Sequence, residues 1–513
     1  MCAMYSILTK WWQTKFAFVF VLVIAYQVQS HAQIIQSNRI EIPLFTNDDG
    51  YEVINAYKDG LYIFRRLLTD NGEVLDLIKL DTTCEQRWRG QLPITPKFIL
   101  MGKRVENNLL YLLFRFQDYS KNDFELFVVD QANGKYSKYI IKNFIPFSPN
   151  DFQVTEKAVL IGGYFNRVPV VIHFSLATEK TKVLPGLFNE IGELTQVRTY
   201  ADGTIDVLIS AQNIKGQKTI WVKNYDPDGD LLSNQALDPA ENKNLIFARS
   251  IKTDNQLQLI AGVYGGRNTE YSRGMFIASI DPSGMQNIRY YNFGDLENFF
   301  KFMKAKRELR VKSRIERRKI KGKKIRFNYR IMVHQIVPYN NQYVLLGEAF
   351  YPRYTTIDRS YYTGFFTPLR TGSYYTRDGR VFDGYYYTHA VVMGFSNEGD
   401  LLWDNSFEIN DVKTFTLEQF VKLEVQKDKI ALLYLFENQL RTKIIKGNQV
   451  LEGKTSEPIE TKLENDVVKN RSTGTSHLDY WYNQYFYAFG VQEISNPKFG
   501  QRRVFFINKV SYK

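Results

Sequence analysis

Two neighbouring stretches of this chain decide its fold: YVLLGEAF, from Tyr343 to Phe350, and VVMGFSNEGDLLW, from Val391 to Trp403. Aliphatic and aromatic residues dominate both stretches, as is typical of β-strands. The second contains Asn397 and Gly399 between two apolar runs, which is the chemistry of a hairpin turn. The region therefore predicts at least three antiparallel strands.

The first of these stretches recurs through the chain at a period of about 50 residues. Its eight copies are LYIFRR from Leu61, LLYLLFRF from Leu109, VLIGGYF from Val159, IDVLISAQ from Ile205, LQLIAGVY from Leu257, YVLLGEAF from Tyr343, IALLYLF from Ile430 and YFYAFGVQ from Tyr485. Two of the intervals are about 86 residues long, and both contain an insertion.

The strand and turn that follow also recur. The copies are LIKLDTTCEQRW ending at Trp88, LFVVDQANGKY ending at Tyr136, IWVKNYDPDGDLL ending at Leu232, FIASIDPSGM ending at Met285 and VVMGFSNEGDLLW ending at Trp403. Four short strands per unit, repeated eight times, predict an all-β fold: a β-propeller of about eight four-stranded blades. A seven-bladed ring with one irregular unit and a pair of packed β-domains are the alternatives.

The last repeat lacks a fourth strand. Strands are predicted near Leu478, Tyr485 and Val504, and the sequence stops at Lys513. An unassigned strand, RIEIPL, runs from Arg39 to Leu44. We expect this N-terminal strand to close the last blade, which would remove an open sheet edge. Pro43 is compatible with an outermost strand, since one side of such a strand needs no hydrogen-bond donor.

The N-terminus resembles a secretory signal peptide. Basic residues precede an apolar run from Phe16 to Tyr26, and Ser30-His31-Ala32 supplies small residues for cleavage after Ala32. An uncleaved membrane anchor is the alternative, but the run is about half the roughly 20 residues that span a bilayer. We therefore expect a signal peptide at 1–32 and a single propeller domain at 33–513. No transmembrane segment is expected after cleavage, and the protein would be periplasmic, on the outer surface or extracellular.

Cysteine usage fits this assignment. The chain has two cysteines, and Cys2 would leave with the signal peptide. Cys84 then has no partner for an internal disulfide, and we expect it to be an inert packed thiol. A chain of this length can be stabilised by burial without disulfides.

In its repeat pattern the sequence resembles a loose class of exported β-propeller proteins common in Bacteroidota. Their blades carry a similar "LLG-x-F … D-x-x-G-x-x-x-W" pattern, seen best here from Leu345 to Trp403. The resemblance covers nearly the whole chain after residue 32. It implies a scaffold in an envelope or extracellular setting, and it implies no site residues.

The first insertion, 299–329, is strongly basic. From Lys301 to Arg330 there are fifteen Lys or Arg residues against Glu308 and Glu316, a net charge of +13 that equals the formal charge of the whole chain. The segment lacks Gly and Pro until Gly322, so we predict a helix from about Leu296 to Ile320. Its candidate binding residues are Arg314, Arg317, Arg318, Lys319, Lys321, Lys323 and Lys324. The alternative is a solvated charged excursion.

The second insertion, 351–387, is a predicted hairpin rich in Tyr and Arg. Tyrosine and arginine are enriched where proteins hold partners, and tyrosine rings also stack on sugars. The candidate binding residues are Tyr361, Tyr362, Tyr374, Tyr375, Tyr385 and Tyr386. The alternative is a strand pair whose aromatic rings cover the flank of the propeller. The two insertions should emerge on one face, because connections between blades and connections between second and third strands share a face.

No catalytic, cofactor or metal motif is evident. His173, His334, His389 and His477 lack the spacing of metal ligands. The carboxylates of Asp226-Pro-Asp228-Gly-Asp230 could hold calcium, although a hairpin turn also explains them. We therefore assign no catalytic residue, no cofactor and no metal.

These observations favour a non-enzymatic binding or scaffolding protein of the cell envelope. Its expected partner is an anionic envelope component (lipid, glycan or acidic protein) or another protein, and no nucleic acid is expected. The alternative is a glycan-active hydrolase or lyase with its site at the central channel. A catalytic propeller should bring Asp, Glu, His or Arg together at the channel, whereas an adaptor should have an unremarkable channel.

Overall fold

A computed structural model describes residues 34–45, 48, 50–70, 72–117, 123–143, 145–188, 191–253, 256–267, 269–323, 325–356, 380–426, 428–469 and 476–512. The predicted signal peptide lies outside these residues. The described strands form eight antiparallel sheets, each the blade of a β-propeller. The prediction of eight four-stranded blades is confirmed, and the seven-bladed and two-domain alternatives are wrong.

Blades 1 to 4 each use four consecutive strands, and the first strand lies at one edge of the sheet. Blade 1 contains β2 (Glu52–Asn55), β3 (Leu61–Thr69), β4 (Gly72–Leu80) and β5 (Gln86–Pro93). Blade 2 contains β6 (Phe98–Glu106), β7 (Leu109–Phe116), β8 (Phe124–Asp130) and β9 (Tyr136–Ile141). Blade 3 contains β10 (Ser148–Val154), β11 (Ala158–Phe165), β12 (Val168–Ser175) and β13 (Thr181–Val183). Blade 4 contains β14 (Gly192–Thr199), β15 (Ile205–Gln212), β16 (Lys218–Tyr225) and β17 (Leu231–Ala236).

Blades 5 to 7 follow the same order, with one added strand in blade 6. Blade 5 contains β18 (Asn244–Lys252), β19 (Gln258–Gly265), β20 (Ser272–Ile280) and β21 (Gln286–Asn292). Blade 6 contains β22 (Arg330–Tyr339), β23 (Gln342–Thr356), β24 (Arg380–Ser396) and β25 (Leu401–Glu408), and β26 (Lys413–Thr414) pairs with the outer part of β24. Blade 7 contains β27 (Lys422–Val425), β28 (Ile430–Phe436), β29 (Gln439–Lys446) and β30 (Gln449–Pro458).

Blade 8 is completed by the beginning of the chain. It contains β32 (Ser476–Tyr482), β33 (Tyr485–Asn496), β34 (Gly500–Tyr512) and β1 (Ile34–Pro43), and β31 (Val467–Val468) pairs with the end of β33. Strand β1 is antiparallel to β34, with Ile34 opposite Tyr512 and Pro43 opposite Val504. The predicted ring closure is therefore confirmed, and Pro43 lies on the outermost strand as expected.

The hydrophobic core is divided among the seams between blades. Eight clusters of buried apolar side chains are found among the described residues, one in each seam of the ring. In the seam between blades 8 and 1, for example, Trp481 and Phe505 pack with Tyr51 and Leu61. Each blade thus depends on both neighbours for burial of its two faces.

A glycine in strand β24 of blade 6, Gly394, has a packing cause. The indole of Trp403 lies flat against Gly394, where an added Cβ would be 2.1 Å from the ring. The indole N–H donates to Gln342 Oε1 at 2.9 Å. Any larger residue at position 394 would displace the Trp from the seam between blades 6 and 7.

The strand order fixes two faces of the ring. In blades 1 to 7 the turns between first and second strands and between third and fourth strands lie on one face, which we call the turn face. The remaining connections lie on the opposite face, which we call the connection face. Both insertions start from connections of the second kind, one between β21 and β22 and the other between β23 and β24.

The basic insertion is helical, but its helix is shorter than predicted. A 3₁₀ turn covers Phe299–Phe302, and helix α1 runs from Ala305 to Ile320. Met303, between them, has an extended backbone. The helix begins nine residues later than the predicted Leu296, because apolar side chains from Phe293 to Phe302 enter the seam between blades 5 and 6.

The closing strand should contribute measurably to stability. We expect a chain that starts at residue 45 to lose on the order of 5 kcal/mol relative to one that starts at residue 33, since about nine strand pairings disappear. It should also self-associate through the exposed edge of β34. Thermal unfolding and size-exclusion chromatography of the two chains test this expectation. An equally stable, monomeric shorter chain would contradict it.

Candidate functional site

An aromatic cluster attaches the basic insertion to blade 6. The ring of Phe302 stacks on His389 of β24, with centroids 3.7 Å apart. Phe299 and Tyr329 approach the same imidazole edge-on, with centroids at 5.1 and 5.5 Å. His389 is completely buried and its Nε2 has no hydrogen-bond partner among the described residues. Burial lowers the pKa of His389 to about 3, so the ring is neutral.

Hydrogen bonds lock the start of the insertion onto the outermost strand of blade 6. The two carboxylate oxygens of Asp404 accept the backbone N–H groups of Glu297 and Asn298 at 2.9 and 2.8 Å. The Asn298 side chain donates to the Asp404 carbonyl at 2.7 Å, and Ser406 Oγ donates to the Asn298 carbonyl at 2.8 Å. Side-chain hydrogen bonds therefore fix this segment against the outer edge of β25, and α1 continues from a rigid base.

Helix α1 has an inner and an outer side. Ile315 is buried and Val311 is half-buried in the cluster between blades 5 and 6. Two ion pairs lie along the flank of the helix: Lys312 with Glu308 at 2.7 Å, and Lys319 with Asp295 at 2.7 Å. The packing of the inner side determines which basic residues face the solvent.

The predicted basic residues fall on or after this helix. The six that the structure describes are exposed: Arg314, Arg317, Arg318, Lys319, Lys321 and Lys323. Lys324 lies outside the described residues. Lys319 is engaged with Asp295, so its charge is partly neutralised.

One line of cations runs the length of the helix. We call the exposed residues Lys306, Arg310, Arg314, Arg317 and Lys321 the cationic ridge. Their spacing of three or four residues places them along one side of α1, with about one charge per turn over roughly 22 Å. None of the five forms an ion pair with any residue in the described part of the chain. Sequence reasoning omitted Lys306 and Arg310, although the same spacing would have included them.

The described part of the hairpin is a packed strand pair. Residues 351–356 of β23 pair with residues 380–386 of β24, and Tyr361, Tyr362, Tyr374 and Tyr375 lie outside the described residues. The rings of Tyr351 and Tyr386 stack at 5.7 Å. Tyr386 donates to Asp383 at 2.9 Å, and Lys413 of β26 also reaches Asp383, at 2.6 Å.

Tyr385 is half-buried and lies edge-on to Phe350, with centroids 5.7 Å apart. The aromatic rings at the base of the hairpin thus serve mainly to hold its strands together. Both insertions are rooted on one strand, since β24 carries Tyr385 and Tyr386 of the hairpin as well as His389 below the helix.

The inner strands of the blades enclose a polar central channel. One section of it is a cavity of about 700 Å³, lined mainly by the first strands of blades 2 to 6. Its ionisable lining residues are Arg104, Glu106, Asp151, Arg198, Arg249 and His334. Acidic, basic and imidazole groups thus converge on the channel. This is the feature expected of a catalytic or ligand-binding propeller, and no local sequence motif announced it.

His334 is held in the channel wall by a buried carboxylate. Its Nε2 is 2.7 Å from Glu348 Oε2, and the two strands β22 and β23 bring these residues together. Glu348 is fully buried and also accepts the backbone N–H groups of Phe420 and Val421. In the neutral tautomer whose Nε2–H donates to this carboxylate, Nδ1 is a hydrogen-bond acceptor. Such an oriented imidazole is the arrangement used for proton transfer.

Two carboxylates line a second section of the channel, a cavity of about 560 Å³ next to His334. Asp479 of blade 8 pairs with Lys422 at 3.2 Å. Glu424 of blade 7 is buried and accepts a hydrogen bond from the Tyr512 hydroxyl at 2.5 Å. Burial raises the pKa of Glu424. Two carboxyl groups in unlike surroundings are a combination from which acid–base pairs are built.

Two other expectations concern isolated residues. Asp226 Oδ1 accepts the backbone N–H of Asp230 at 2.8 Å, and Asp230 pairs with Lys182, so this segment forms the hairpin turn between β16 and β17. Cys84 is buried, and burial raises its pKa to about 11. At neutral pH it is a protonated, packed thiol, as expected for an inert cysteine.

Comparisons with known proteins reveal architecture only. No family model and no curated protein matches the chain. Among solved structures, the polysaccharide lyase Uly1 aligns with 8% identity and a TM-score of 0.40, covering 93% of this chain and 99% of that one. The β-propeller domain of the Trilobed protease from Pyrococcus furiosus aligns with 9% identity and a TM-score of 0.36, covering 79% and 97%.

Oligopeptidase B from Leishmania major aligns with 8% identity and a TM-score of 0.38, over 80% of this chain and 48% of that chain. The chain therefore spans about half the length of that peptidase. Likeness at this level carries no information about activity. Among the described residues, the helices are too short or too polar to cross a membrane.

The buried imidazole should make the insertion sensitive to acid. The pKa of His389 is about 3 in the folded chain and near 6.5 when unfolded, so its contribution to stability is complete above pH 6.5 and is lost as the pH falls toward 3. His389→Phe keeps a ring for stacking but cannot take up a proton. We expect the slope of unfolding free energy against pH to become shallower in this interval, by at most about 1.4 kcal/mol per pH unit.

Two measurements test this prediction. Urea unfolding at several pH values between 6.5 and 4 gives the global free energy of unfolding, and hydrogen exchange of residues 297–320 reports on the insertion itself. The matched control is His173→Phe, because burial also lowers the pKa of His173 but that residue lies in blade 3, away from the insertion. Exchange rates are compared with the intrinsic rate at each pH, and the loss of protection of the insertion at low pH should persist in the control and vanish in His389→Phe. Identical pH profiles for His389→Phe and the unaltered chain would refute the prediction.

Proposed function

We propose that this chain is an exported β-propeller that binds an acidic polysaccharide along the cationic ridge of α1. One observation carries the proposal: five exposed cations form a straight line on a helix that is fixed to blade 6. Fixed cations lose little conformational freedom on binding, so a partner with regularly spaced anionic groups gains the most from them. A polyuronate supplies one carboxylate per sugar, a spacing similar to one turn of a helix.

The shape of the helix favours a polymer over a lipid surface. Helices that lie in a membrane interface present a broad apolar face to it. Here the apolar residues Val311 and Ile315 point into the blade, and the exposed side is mostly charged. Leu309 and Ile320 are the large apolar residues of the described helix that face the solvent. Two separated aliphatic side chains do not form such a face.

Reversing the ridge should abolish polymer binding. The variant carries Arg310→Glu, Arg314→Glu and Arg317→Glu, and the probe is polygalacturonate, titrated by calorimetry over a salt series. We expect the unaltered chain to bind more weakly as salt rises, because screening reduces attraction between exposed charges. The variant should bind at least about tenfold more weakly at low salt, with little further dependence on salt.

A matched control separates the ridge from net charge. Lys58→Glu, Lys135→Glu and Lys157→Glu change the total charge equally at exposed positions on blades 1 to 3. This control should bind polygalacturonate as the unaltered chain does. Equal weakening in both variants, or binding to anionic lipid vesicles but not to the polymer, would overturn the proposal.

A second candidate function, a glycan-active enzyme, is favoured by the oriented His334 in the channel. If the chain cleaves polygalacturonate, new reducing ends or the ultraviolet absorbance of an unsaturated product should appear. The variant His334→Gln should then cleave the polymer at least about a hundredfold more slowly, since a general base contributes about that much to the rate. Its thermal unfolding temperature should be nearly unchanged. A chain that binds the polymer but yields neither product excludes this candidate for that substrate.

A further inference from the structure

Two arginines in the channel wall carry charges that no carboxylate neutralises. Arg198 and Arg249 belong to β14 and β18, the first strands of blades 4 and 5, and both line the 700 Å³ cavity. No Asp or Glu in the described part of the chain forms an ion pair with either. Burial lowers the pKa of Arg249, which reflects the cost of holding a charge away from water.

The two guanidinium groups are held in place by each other's blade. One nitrogen of Arg198 donates to the carbonyl of Ser250 at 2.9 Å, and one nitrogen of Arg249 donates to the carbonyl of Thr195. Gln196 completes the link, since it accepts the Ser250 N–H at 2.7 Å and donates to the Ser250 carbonyl at 3.2 Å. These bonds fix the two side chains while leaving other donors of each guanidinium unused.

One of those donors is buried without a partner. Arg249 Nε is inaccessible to solvent and has no acceptor in the described structure. The carboxylate of Asp151 acts electrostatically on Arg249 and favours its charged form. That carboxylate already accepts hydrogen bonds from the Gln153 side chain at 2.8 Å and from the Val197 N–H at 3.3 Å. Asp151 is therefore committed to local bonds. A desolvated cation beside a cleft, with no carboxylate paired to it, is a candidate for contact with an anionic ligand.

The rest of the lining suits a ligand with hydroxyl groups. The amide side chains of Asn150, Gln335 and Gln419 line the same cavity, together with the ring of Tyr57. His334 offers an acceptor, because its Nε2 is bound to Glu348. Arg104, Glu106 and Asp151 are the other charged lining residues. Three arginines against two carboxylates leave the cavity with an excess of positive charge.

We propose that the central channel binds a small hydroxylated carboxylate, of the uronic acid class, with Arg198 and Arg249 as the partners of its carboxylate. Guanidinium forks match carboxylate geometry, and amide and imidazole groups match sugar hydroxyls. The cavity is within the size range of small-ligand sites. This proposal does not depend on the cationic ridge. A single sugar acid carries one carboxylate and so cannot contact a line of several charges at once.

The test uses galacturonate as the probe, with galactose and inorganic sulfate as comparators, titrated into the full chain lacking residues 1–32. We expect galacturonate to bind at least tenfold more tightly than either comparator. Arg249→Gln should reduce galacturonate affinity at least tenfold, and Arg198→Gln should act in the same direction. Arg167→Gln is the matched control and should bind normally, because Arg167 is exposed in the turn between β11 and β12 and does not line this cavity.

Unfolding measurements separate a binding role from a structural one. Without ligand, Arg249→Gln should unfold at the same temperature as the unaltered chain or at a higher one, because it removes an uncompensated buried charge. At one fixed galacturonate concentration, the unaltered chain and the control should gain more stability than Arg249→Gln. The proposal would be overturned if galacturonate did not bind, or if galactose or sulfate bound as tightly as galacturonate. It would also be overturned if Arg249→Gln unfolded at a lower temperature than the unaltered chain without ligand.

The two proposals fail independently. The triple ridge variant should bind galacturonate normally, and Arg249→Gln should bind polygalacturonate along the ridge with unchanged salt dependence. Loss of galacturonate binding in the ridge variant would mean that the sugar acid binds at the rim, and it would overturn the channel site.

Discussion

The antiparallel pairing of β1 with β34 is the constraint on which the rest of this structure depends. Each blade buries its two faces against its neighbours, so the hydrophobic core exists only while the ring is complete. Blade 8 belongs to two seams, and β1 contributes apolar side chains to both: Ile34 toward blade 7 and Ile42 toward blade 1. Hydrogen bonds between the first and last strands therefore hold all eight seams in place.

A complete ring gives the molecule fixed positions for groups that are costly to bury. Arg249 is desolvated without a counterion, and His389 is buried with an unsatisfied nitrogen. Both residues lie among well-packed strands. The favourable packing of those strands offsets the free-energy cost of burying the two polar groups. In one case the result is an unneutralised cation in the channel, and in the other a neutral ring on which the basic insertion rests. The rigid scaffold is what permits these arrangements to persist.

Much of the fold followed from the sequence because its determinants are local. Alternating apolar residues and Gly-bearing turns such as Asn397-Glu398-Gly399 specify each strand pair, and the missing fourth strand of the last repeat pointed to RIEIPL. The start of α1 did not follow, because Phe299 and Phe302 are drawn into a seam that only the tertiary structure creates. The cationic ridge was seen in part, since charge counts identify a segment but only the buried Ile315 shows which side faces out.

The residues of the channel could not be predicted from sequence patterns, because they come from separate blades. Arg198 and Arg249 lie on successive blades, and His334 meets Glu348 only because β22 and β23 form a hairpin. Each inner strand supplies one to three polar residues, and the linked partners lie on different strands. A binding site assembled in this way is recognisable only when the blades are placed around a common axis.

The position of β1 also determines when the molecule becomes whole. Strand β1 precedes β34 in the chain and stays unpaired until β34 is present, so a chain interrupted anywhere before β34 retains a loose strand and an open ring. Such a product displays backbone groups that proteases and chaperones readily engage. Ring closure thus depends on both strands being present in one chain, because β1 has no other partner among the described strands.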